Sequence, residues 1–352
     1  MALNTNKMSI FDIENRDELD LFIKKGGDVN EKNWRGETAL YMENFINNYE
    51  ILQGLLEANI ETNHELTLRA ISPPVFQVTE YDCLELLIQY QVDINVKDEE
   101  GCPLGHCFAS APNMLELLLV NHYDINLTTN EGETILFRDD LEADSGFMAI
   151  DAGINIFQKN DNNETALFHI NDGMVAKDLI KRGLSVHDLN NENSTPLLIN
   201  DQSTCCSAFI EAGADIHHIN DEGDNALTVR RYFGINKIKL MVENGININH
   251  CNAEGENIAF LTTDNKAIEY LIEHGIDIEH RNNQGENLLE HTISIELAQL
   301  FIKAGISISD NMNYYAEHLR EYIKEELSKR QKEILTQTMA VPAEIKKTNP
   351  RI

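Results

Sequence analysis

A histidine followed directly by a cysteine, His250-Cys251, is the arrangement in this sequence that comes nearest to a catalytic pair. A cysteine nucleophile needs a base whose side chain converges on the sulfur, and a third group that orients the base. Neighbouring side chains on an extended segment point to opposite faces, so these two do not converge. The sequence also contains no glycine-rich phosphate loop, HExxH or G-x-S-x-G motif. We therefore expect a protein without catalytic residues, cofactor or small-molecule substrate.

The six cysteines of the chain show no CxxC spacing. This argues against a disulfide framework or a zinc knuckle and predicts reduced thiols. The first residues are polar, and no segment approaches the roughly 18 apolar residues of a membrane helix. We expect a cytoplasmic protein that does not enter a membrane.

The charge of the chain is strongly negative. The 352 residues include 28 Lys and Arg against 59 Asp and Glu, a net charge of −31, and 42% are hydrophobic. That hydrophobic content is ordinary for a folded protein. Charge of this sign attracts basic partners and opposes direct binding to a nucleic-acid backbone. Residues 313–352 hold 8 basic and 6 acidic side chains, so the excess acid lies before them.

Two short patterns recur in step along the chain. One begins a helix after a turn, as in Gly132-Glu133-Thr134-Ile135-Leu136 and Asn163-Glu164-Thr165-Ala166-Leu167. The other ends a helix, as in Gly213-Ala214-Asp215-Ile216 and Gly275-Ile276-Asp277-Ile278. From Leu136 onward the last residue of the first pattern recurs every 30 to 32 residues, and the second pattern keeps the same phase. A fixed interval of this length indicates repeated structural units.

The residues from 267 to 287 predict how one unit is built. Apolar residues at 268, 271 and 272 have i, i+3, i+4 spacing and form one face of a short helix. Gly275 ends that helix, because glycine adopts the left-handed backbone of a C-terminal cap without steric cost. An extended segment and a turn follow, and Asn287 is placed to accept amide hydrogen bonds where the next helix begins. One unit is thus a helix, a turn, an extended finger, a second turn and a helix.

These patterns resemble the ankyrin repeat, which carries Gly-x-Thr-Pro-Leu-His at its first helix and Leu-Leu-x-x-Gly-Ala-Asp-Val-Asn at the end of its second. The nearest matches are Asn193-Ser194-Thr195-Pro196-Leu197 and the run from Phe209 to His217. The resemblance covers residues 8 to 310 and rests on repetition in phase rather than on one motif. It implies an all-α repeat solenoid of ankyrin-like helix-turn-helix units with finger turns, about nine to ten repeats and a C-terminal capping helix. It also implies a protein-binding role.

The chain departs from the family in several respects. Its units are mostly 30 to 32 residues long instead of 33, and the usual Gly-His between the helices is absent, so we expect a shortened first helix or connection. In the family, threonine and histidine side chains form local capping hydrogen bonds, whereas three later units carry asparagine in place of the threonine, at Asn225, Asn257 and Asn287.

Three histidines, His218, His250 and His280, take the same place in successive units. Stacking of ankyrin-like units would hold them on the order of 10 Å apart. Ligands of a shared metal must lie within about 2 Å of the ion. We therefore expect no metal site in this row.

The regular pattern is interrupted between Ile60 and Val92. The run Glu65-Leu66-Thr67-Leu68 is the nearest substitute for the missing helix start, and Ser72-Pro73-Pro74 disfavours a helix. We expect a protruding loop near residues 71 to 80, which is either a tolerated insertion or a binding loop.

The two ends of the array need polar outer faces, because an exposed apolar end would let solenoids join. A polar stretch near residues 12 to 18 suits the N-terminal end. The pattern from Tyr314 to Thr338 predicts one longer helix that caps the C-terminal end. The predicted domains are therefore an ankyrin-repeat array with an N-terminal cap at 1–312, a capping helix at 313–340 and a flexible tail at 341–352.

Acidic residues concentrate in the turns between units. In an ankyrin-like arrangement these turns become fingertips along a concave groove, so stacking would align their carboxylates. The first fingertip instead carries the single tryptophan beside an arginine, the composition of an interface hot spot, unless the tryptophan packs on the N-terminal cap. For each acid, the alternative is a solvated turn that only aids solubility. The predicted partner-binding residues are Trp34, Arg35, Asp98, Glu99, Glu131, Asp161, Glu192, Asp221, Glu222 and Glu254.

The sequence thus predicts a non-catalytic scaffold that binds another protein of basic charge. By analogy with acidic bacterial repeat proteins of this shortened type, we expect an inhibitor or immunity protein that neutralises a toxin or nuclease. One alternative is an adaptor or translocated effector that docks on a host protein through the repeats. Another is a mimic of nucleic-acid charge that blocks a DNA-binding protein.

Overall fold

The computed structural model describes residues 8–62, 72–229 and 234–339. In these residues the chain is mostly helical and forms no β-strand, apart from one isolated bridge between Lys97 and Pro103. The predicted all-α class is confirmed. The tail at 341–352 and the run Glu65-Leu66-Thr67-Leu68 lie outside the described residues.

Ten helices of nine or ten residues begin at intervals of 30 to 33 residues, and we call them the long helices. They are Arg16–Lys24, Tyr49–Glu57, Tyr81–Gln89, Pro112–Val120, Ala143–Asp151, Gly173–Lys181, Ser203–Glu211, Ile235–Glu243, Asn265–Glu273 and Ile295–Ala304. Each is followed by a residue with positive φ, and seven of these ten residues are glycines. After Asn265–Glu273, for example, Gly275 N–H donates to Ile272 O over 3.2 Å and Ile276 N–H to Leu271 O over 3.0 Å. This pair of bonds closes the helix end, as the glycine pattern predicts.

Short helices of three to five residues precede most of the long ones, in agreement with the expected shortening of the first helix. The 3-10 helices are Ile10–Asp12, Ala39–Tyr41, Pro74–Gln77, Leu104–Phe108, Ile135–Phe137 and Ala166–Phe168. The short α-helices are Glu43–Ile46, Pro196–Ile199, Ile258–Leu261 and Leu288–His291. At the C-terminal end two further 3-10 helices, Met312–Tyr314 and Glu317–Leu319, lead into the helix Arg320–Met339.

Contacts divide the chain into two compact units. Unit 1 comprises residues 1–191 and 204–213, and unit 2 comprises residues 192–203 and 214–352. In unit 1 the long helices from Arg16–Lys24 to Gly173–Lys181 each pack on the next one along the chain. In unit 2 the helix Asn265–Glu273 packs between Ile235–Glu243 and Ile295–Ala304. The predicted boundaries at 312 and 340 stay predictions.

One side of each long helix supplies the core. The fourth residue of the first four long helices is a fully buried leucine, at Leu19, Leu52, Leu84 and Leu115. Burial of one leucine side chain stabilises a fold by about 2 kcal/mol. The same spacing that predicts the helices therefore also places their apolar faces against neighbouring helices.

The expected protruding loop near residues 71 to 80 is wrong for residues 74 to 77, which form the 3-10 helix Pro74–Gln77 with Pro74 and Val75 buried. This helix packs against the short helices on either side, Ala39–Tyr41 and Leu104–Phe108. Pro74 is the first helical residue, where proline is tolerated because that position needs no N–H donor. The two prolines therefore start a helix here instead of preventing one.

The C-terminal helix begins later than predicted, at Arg320 instead of near Tyr314. Tyr315 has an extended backbone and is buried, and its hydroxyl accepts a 2.6 Å hydrogen bond from Ser309 N–H. Tyr315 and Leu319 therefore both precede the α-helix and do not share a face of it with Ile323. No helix in the described part of the chain has both the length and the apolar character needed to cross a membrane.

Candidate functional site

The turns that precede the short helices are built around one polar side chain each. Asn160 Oδ1 accepts hydrogen bonds from the N–H groups of Asn162 at 3.0 Å and Glu164 at 2.9 Å. The same pair of bonds recurs at Asn33, Asp98, Thr129, Asn220, Asn252 and Asn282. We call these seven turns tips, and we include the turn 190–194, which has the same length and position before a short helix; the tips span 33–37, 98–102, 129–133, 160–164, 190–194, 220–224, 252–256 and 282–286. Sequence reasoning assigned a turn role to Asn282 but missed the row it belongs to, although asparagine recurs at 160, 190, 220, 252 and 282.

Neighbouring tips are joined through their backbones. In unit 1, Asp161 N–H donates to Glu131 O over 2.9 Å. In unit 2, Asp221 N–H donates to Glu192 O over 3.2 Å, and Asn283 N–H donates to Glu254 O over 3.0 Å. Predicted acidic residues on adjacent tips are therefore held side by side within each unit.

A second contact between tips uses side chains, and we call it a rung. Asn160 Nδ2 donates to Glu133 Oε1 over 3.1 Å, and Asn190 Nδ2 donates to Glu164 Oε1 over 2.9 Å. In unit 2 the rung between Asp224 and Asn252 is missing. Asp224 Oδ1 and Asn252 Nδ2 are buried, and neither finds a hydrogen-bond partner among the described residues. Aspartate is one methylene shorter than the glutamate of the unit 1 rungs.

The two buried carboxylates differ in their electrostatics. Burial raises the pKa of Glu164, but hydrogen bonds from His169 and Asn190 outweigh that effect and hold the pKa below its ordinary value. His169 Nε2 lies 2.9 Å from Glu164 Oε2. Burial also raises the pKa of Asp224, and the carboxylates of Glu222 and Glu254 raise it further. A complete rung thus stabilises the charged carboxylate, whereas the incomplete one does not.

The structure places nine of the ten predicted partner-binding residues on the surface. The exposed residues are Trp34, Arg35, Glu99, Glu131, Asp161, Glu192, Asp221, Glu222 and Glu254. Asp98 differs, because it is half-buried and its Oδ1 accepts from Glu100 N–H and Cys102 N–H at 2.9 and 2.8 Å. Asp98 therefore shapes its tip in the way that asparagine does in the others.

Several of these acids are not neutralised by the protein itself. In the described part of the chain, no basic side chain forms an ion pair with Glu99, Glu131, Asp161 or Asp221. Lys159, close to them in sequence, instead donates to Asn163 Oδ1 over 3.3 Å. Like charges held at neighbouring positions repel each other, and a cation from outside would relieve that repulsion.

The first tip has a different character from the acidic ones. Trp34 is 84% exposed, and the Arg35 guanidinium lies 4.6 Å from the centroid of its ring. The tryptophan is therefore not buried against the N-terminal residues that the structure describes, which begin at residue 8. A guanidinium stacked on an exposed indole presents a large, ready-formed contact surface.

The histidine row has a structural explanation. His218, His250 and His280 each hold a backbone carbonyl of the preceding tip through Nε2, at Asn193, Gly223 and Gly255, with distances of 2.6, 2.7 and 2.7 Å. A carbonyl only accepts hydrogen bonds, so Nε2 carries the proton in each case. No group of three or more potential metal ligands occurs among the described residues.

Cys251 contacts a histidine, but not its neighbour in sequence. Its Sγ lies 3.3 Å from His280 Nε2, on the next finger. That nitrogen already donates to Gly255 O, so it is not free to accept the thiol proton. Burial raises the pKa of Cys251, which keeps the sulfur protonated. The contact lacks the base that a cysteine nucleophile needs.

Comparison of the chain with models of known protein families gives no match, and comparison with curated proteins gives none. The role of the tips therefore has to be argued from their geometry and charge.

Proposed function

We propose that the chain is a divergent ankyrin-type repeat solenoid that binds another protein and has no catalytic activity. The support is the interval of 30 to 33 residues between ten long helices, each followed by a left-handed residue and most preceded by a short helix. Repeated units of this kind present an extended surface made of turns. The tips supply that surface here.

The proposed partner is a basic protein. The observation that carries this proposal is the set of exposed carboxylates on hydrogen-bonded neighbouring tips, such as Glu131 and Asp161, without an ion pair among the described residues. Lysine and arginine side chains of a partner would neutralise these charges and speed association at low salt.

The test compares the removal of four negative charges from the tips with the removal of four negative charges from other exposed positions. A variant with E131Q, D161N, D221N and E222Q is compared with E85Q, E116Q, E243Q and E269Q, which changes the same net charge on exposed faces of long helices. Binding of fluorescent deca-lysine is titrated by anisotropy at 50 and 200 mM salt. We expect the tip variant to lose about tenfold in affinity and the helix variant far less, with weaker binding of wild type at high salt. Equal losses in both variants, or no binding by wild type, would refute the tip surface.

Within this class we propose the inhibitor or immunity role, which rests on the analogy with acidic bacterial repeat proteins. Affinity capture from native lysate, with the tip variant as control, would supply the partner. The activity of that partner is then measured with and without the chain. Loss of activity supports neutralisation, whereas tight binding with unchanged activity would favour an adaptor or effector.

A further inference from the structure

At five places the turn after one long helix is tied to the turn after the next long helix by a side-chain oxygen. In unit 1, Asn126 Oδ1 accepts from Asn155 N–H over 2.6 Å, and Asn95 Oδ1 accepts from Asp124 N–H over 2.7 Å. In unit 2, Asn249 Oδ1 accepts from Asp277 N–H over 2.7 Å. Asn30 and Glu279 make the same bond with the N–H groups of Glu61 and Ser307. We call this bond a tie.

Phe157 occupies the tie position of its turn in unit 1 and has no hydrogen-bond acceptor in its side chain. Its backbone conformation matches that of the tied turns, because Phe157 N–H donates to Asn155 Oδ1 over 3.2 Å, as Asn126 N–H does to Asp124 Oδ1 over 3.0 Å. The Ser185 N–H, which a tie would satisfy, has no partner among the described residues. The Phe157 ring lies against Gly183, two residues before this unpaired backbone donor.

Three of the described residues occupy the tie position without making a tie, and Phe157 is the apolar one, the others being His187 and His217. A tie contributes about 1 kcal/mol, and the aromatic ring gives it up. The ring gains little burial in return, since it remains 60% exposed. Arg182, which directly precedes Gly183 in the sequence, is paired elsewhere, because it binds Asp178 and Asp151 over 2.8 and 3.0 Å. An exposed ring and an unpaired donor thus remain available on a strongly acidic protein.

We propose that Phe157 and the Ser185 N–H form an anchor for one arginine residue of the basic partner. The guanidinium stacks on the Phe157 ring, and the main-chain carbonyl of the same residue accepts from Ser185 N–H. A planar guanidinium suits an aromatic face better than the compact, strongly hydrated ammonium of lysine does. This inference rests on the proposed binding of a basic protein and names a contact separate from the acidic tips.

Phe157→Asn tests the anchor, because asparagine restores the tie found at Asn126 and leaves the net charge unchanged. Fluorescent deca-arginine and deca-lysine are titrated against wild type, Phe157→Asn and Phe157→Leu by anisotropy. Both substitutions should weaken deca-arginine binding about two- to fivefold, the loss of one exposed cation–π contact, and change deca-lysine binding less. Thermal unfolding of Phe157→Asn should occur at the same or a higher temperature than that of wild type.

The outcomes separate the anchor from the proposed function. Salt-sensitive binding of both peptides that neither substitution changes would overturn the anchor and leave the acidic tips intact. Equal weakening of both peptides would overturn the preference for arginine. A large fall in the unfolding temperature of Phe157→Asn would show that the ring serves the fold instead. No binding of either peptide to wild type would refute the basic partner itself.

Discussion

The short helices of the two units start in different ways. In unit 1, Ala39–Tyr41, Ile135–Phe137 and Ala166–Phe168 are 3-10 helices that follow a threonine whose side chain makes no capping hydrogen bond. In unit 2, Ile258–Leu261 and Leu288–His291 are α-helices that follow an asparagine whose Oδ1 accepts from the first turn. Pro196–Ile199 combines features of both groups, because it is an α-helix that follows an uncapped threonine and has proline as its first residue. In the other five helices the first turn is 3-10 after an uncapped threonine and α-helical after a capping asparagine.

The threonines before the short helices of this chain do not form the capping hydrogen bond that threonine forms in ankyrin repeats. The hydroxyl oxygens of Thr38, Thr134, Thr165 and Thr195 are buried without a hydrogen-bond partner among the described residues. The family's histidine, three residues after the threonine, is replaced by Tyr41, Phe137, Phe168 and Leu198. The threonine hydroxyl therefore has no histidine partner at that position, whereas the longer asparagine side chain reaches the amides unaided.

The largest expected effect comes from removing a working cap. Asn287→Ala deletes the bond from Glu290 N–H at 2.9 Å and the bond from Asn287 Nδ2 to Ser307 O at 3.2 Å. It also breaks a capping box, so we expect a loss of about 2 kcal/mol in the free energy of unfolding. Urea denaturation measures the loss, and hydrogen exchange locates it at Leu288–His291. A variant as stable as wild type would show that the cap does not govern this helix.

A smaller effect of opposite sign is expected in unit 1. Thr165→Val replaces a buried, unpaired hydroxyl by a methyl group of similar shape and should stabilise the protein by about 1 kcal/mol. Thr228→Val in unit 2 is the matched control, since Thr228 Oγ1 accepts from Asn225 N–H over 2.9 Å and that bond is lost. Urea midpoints should shift in opposite directions. Shifts in the same direction would contradict the difference between the units.

The sequence predicts the long helices well, because their apolar spacing and terminal glycines are local features. It predicts Asn287 as a cap for the same reason. It does not predict that Thr165 lacks a partner, that Pro74 starts a helix or that Tyr315 leaves the helical path, because each depends on a contact with a residue elsewhere in the fold. The neighbour of Cys251 is likewise His280 instead of His250. Of the predicted binding residues, Asp98 alone is drawn into the structure of its own tip, by backbone groups that sequence patterns do not reveal.

The rungs provide a second comparison between the units. Asp224→Glu adds the methylene that the complete rung of Glu164 possesses, and should let the side chain reach Asn252 Nδ2. We expect a gain of about 0.5–1 kcal/mol. Glu164→Asp makes the reciprocal change in unit 1 and should cost a similar amount. Urea midpoints of both variants are measured at pH 7. A lower midpoint for Asp224→Glu than for wild type would contradict the proposed effect of the rung.

The smallest effect is a pH dependence of opposite sign in the two units. Glu164 has a pKa below its ordinary 4.5 in the folded protein, so its stabilising effect is present above that pH and is lost as the pH falls through the folded pKa. Asp224 has a pKa above its ordinary 3.8, so its contribution to stability is complete below pH 3.8 and is lost as the pH rises through the folded pKa.

Glu164→Gln should therefore be less stable than wild type at pH 7, and the difference in stability should narrow below pH 4.5. Asp224→Asn should be more stable at pH 7, and this gap should close as the pH approaches 3.8. Unfolding measured in steps from pH 7 to 3.5 tests both signs, and parallel profiles for the two variants would show that the carboxylates sit in equivalent environments.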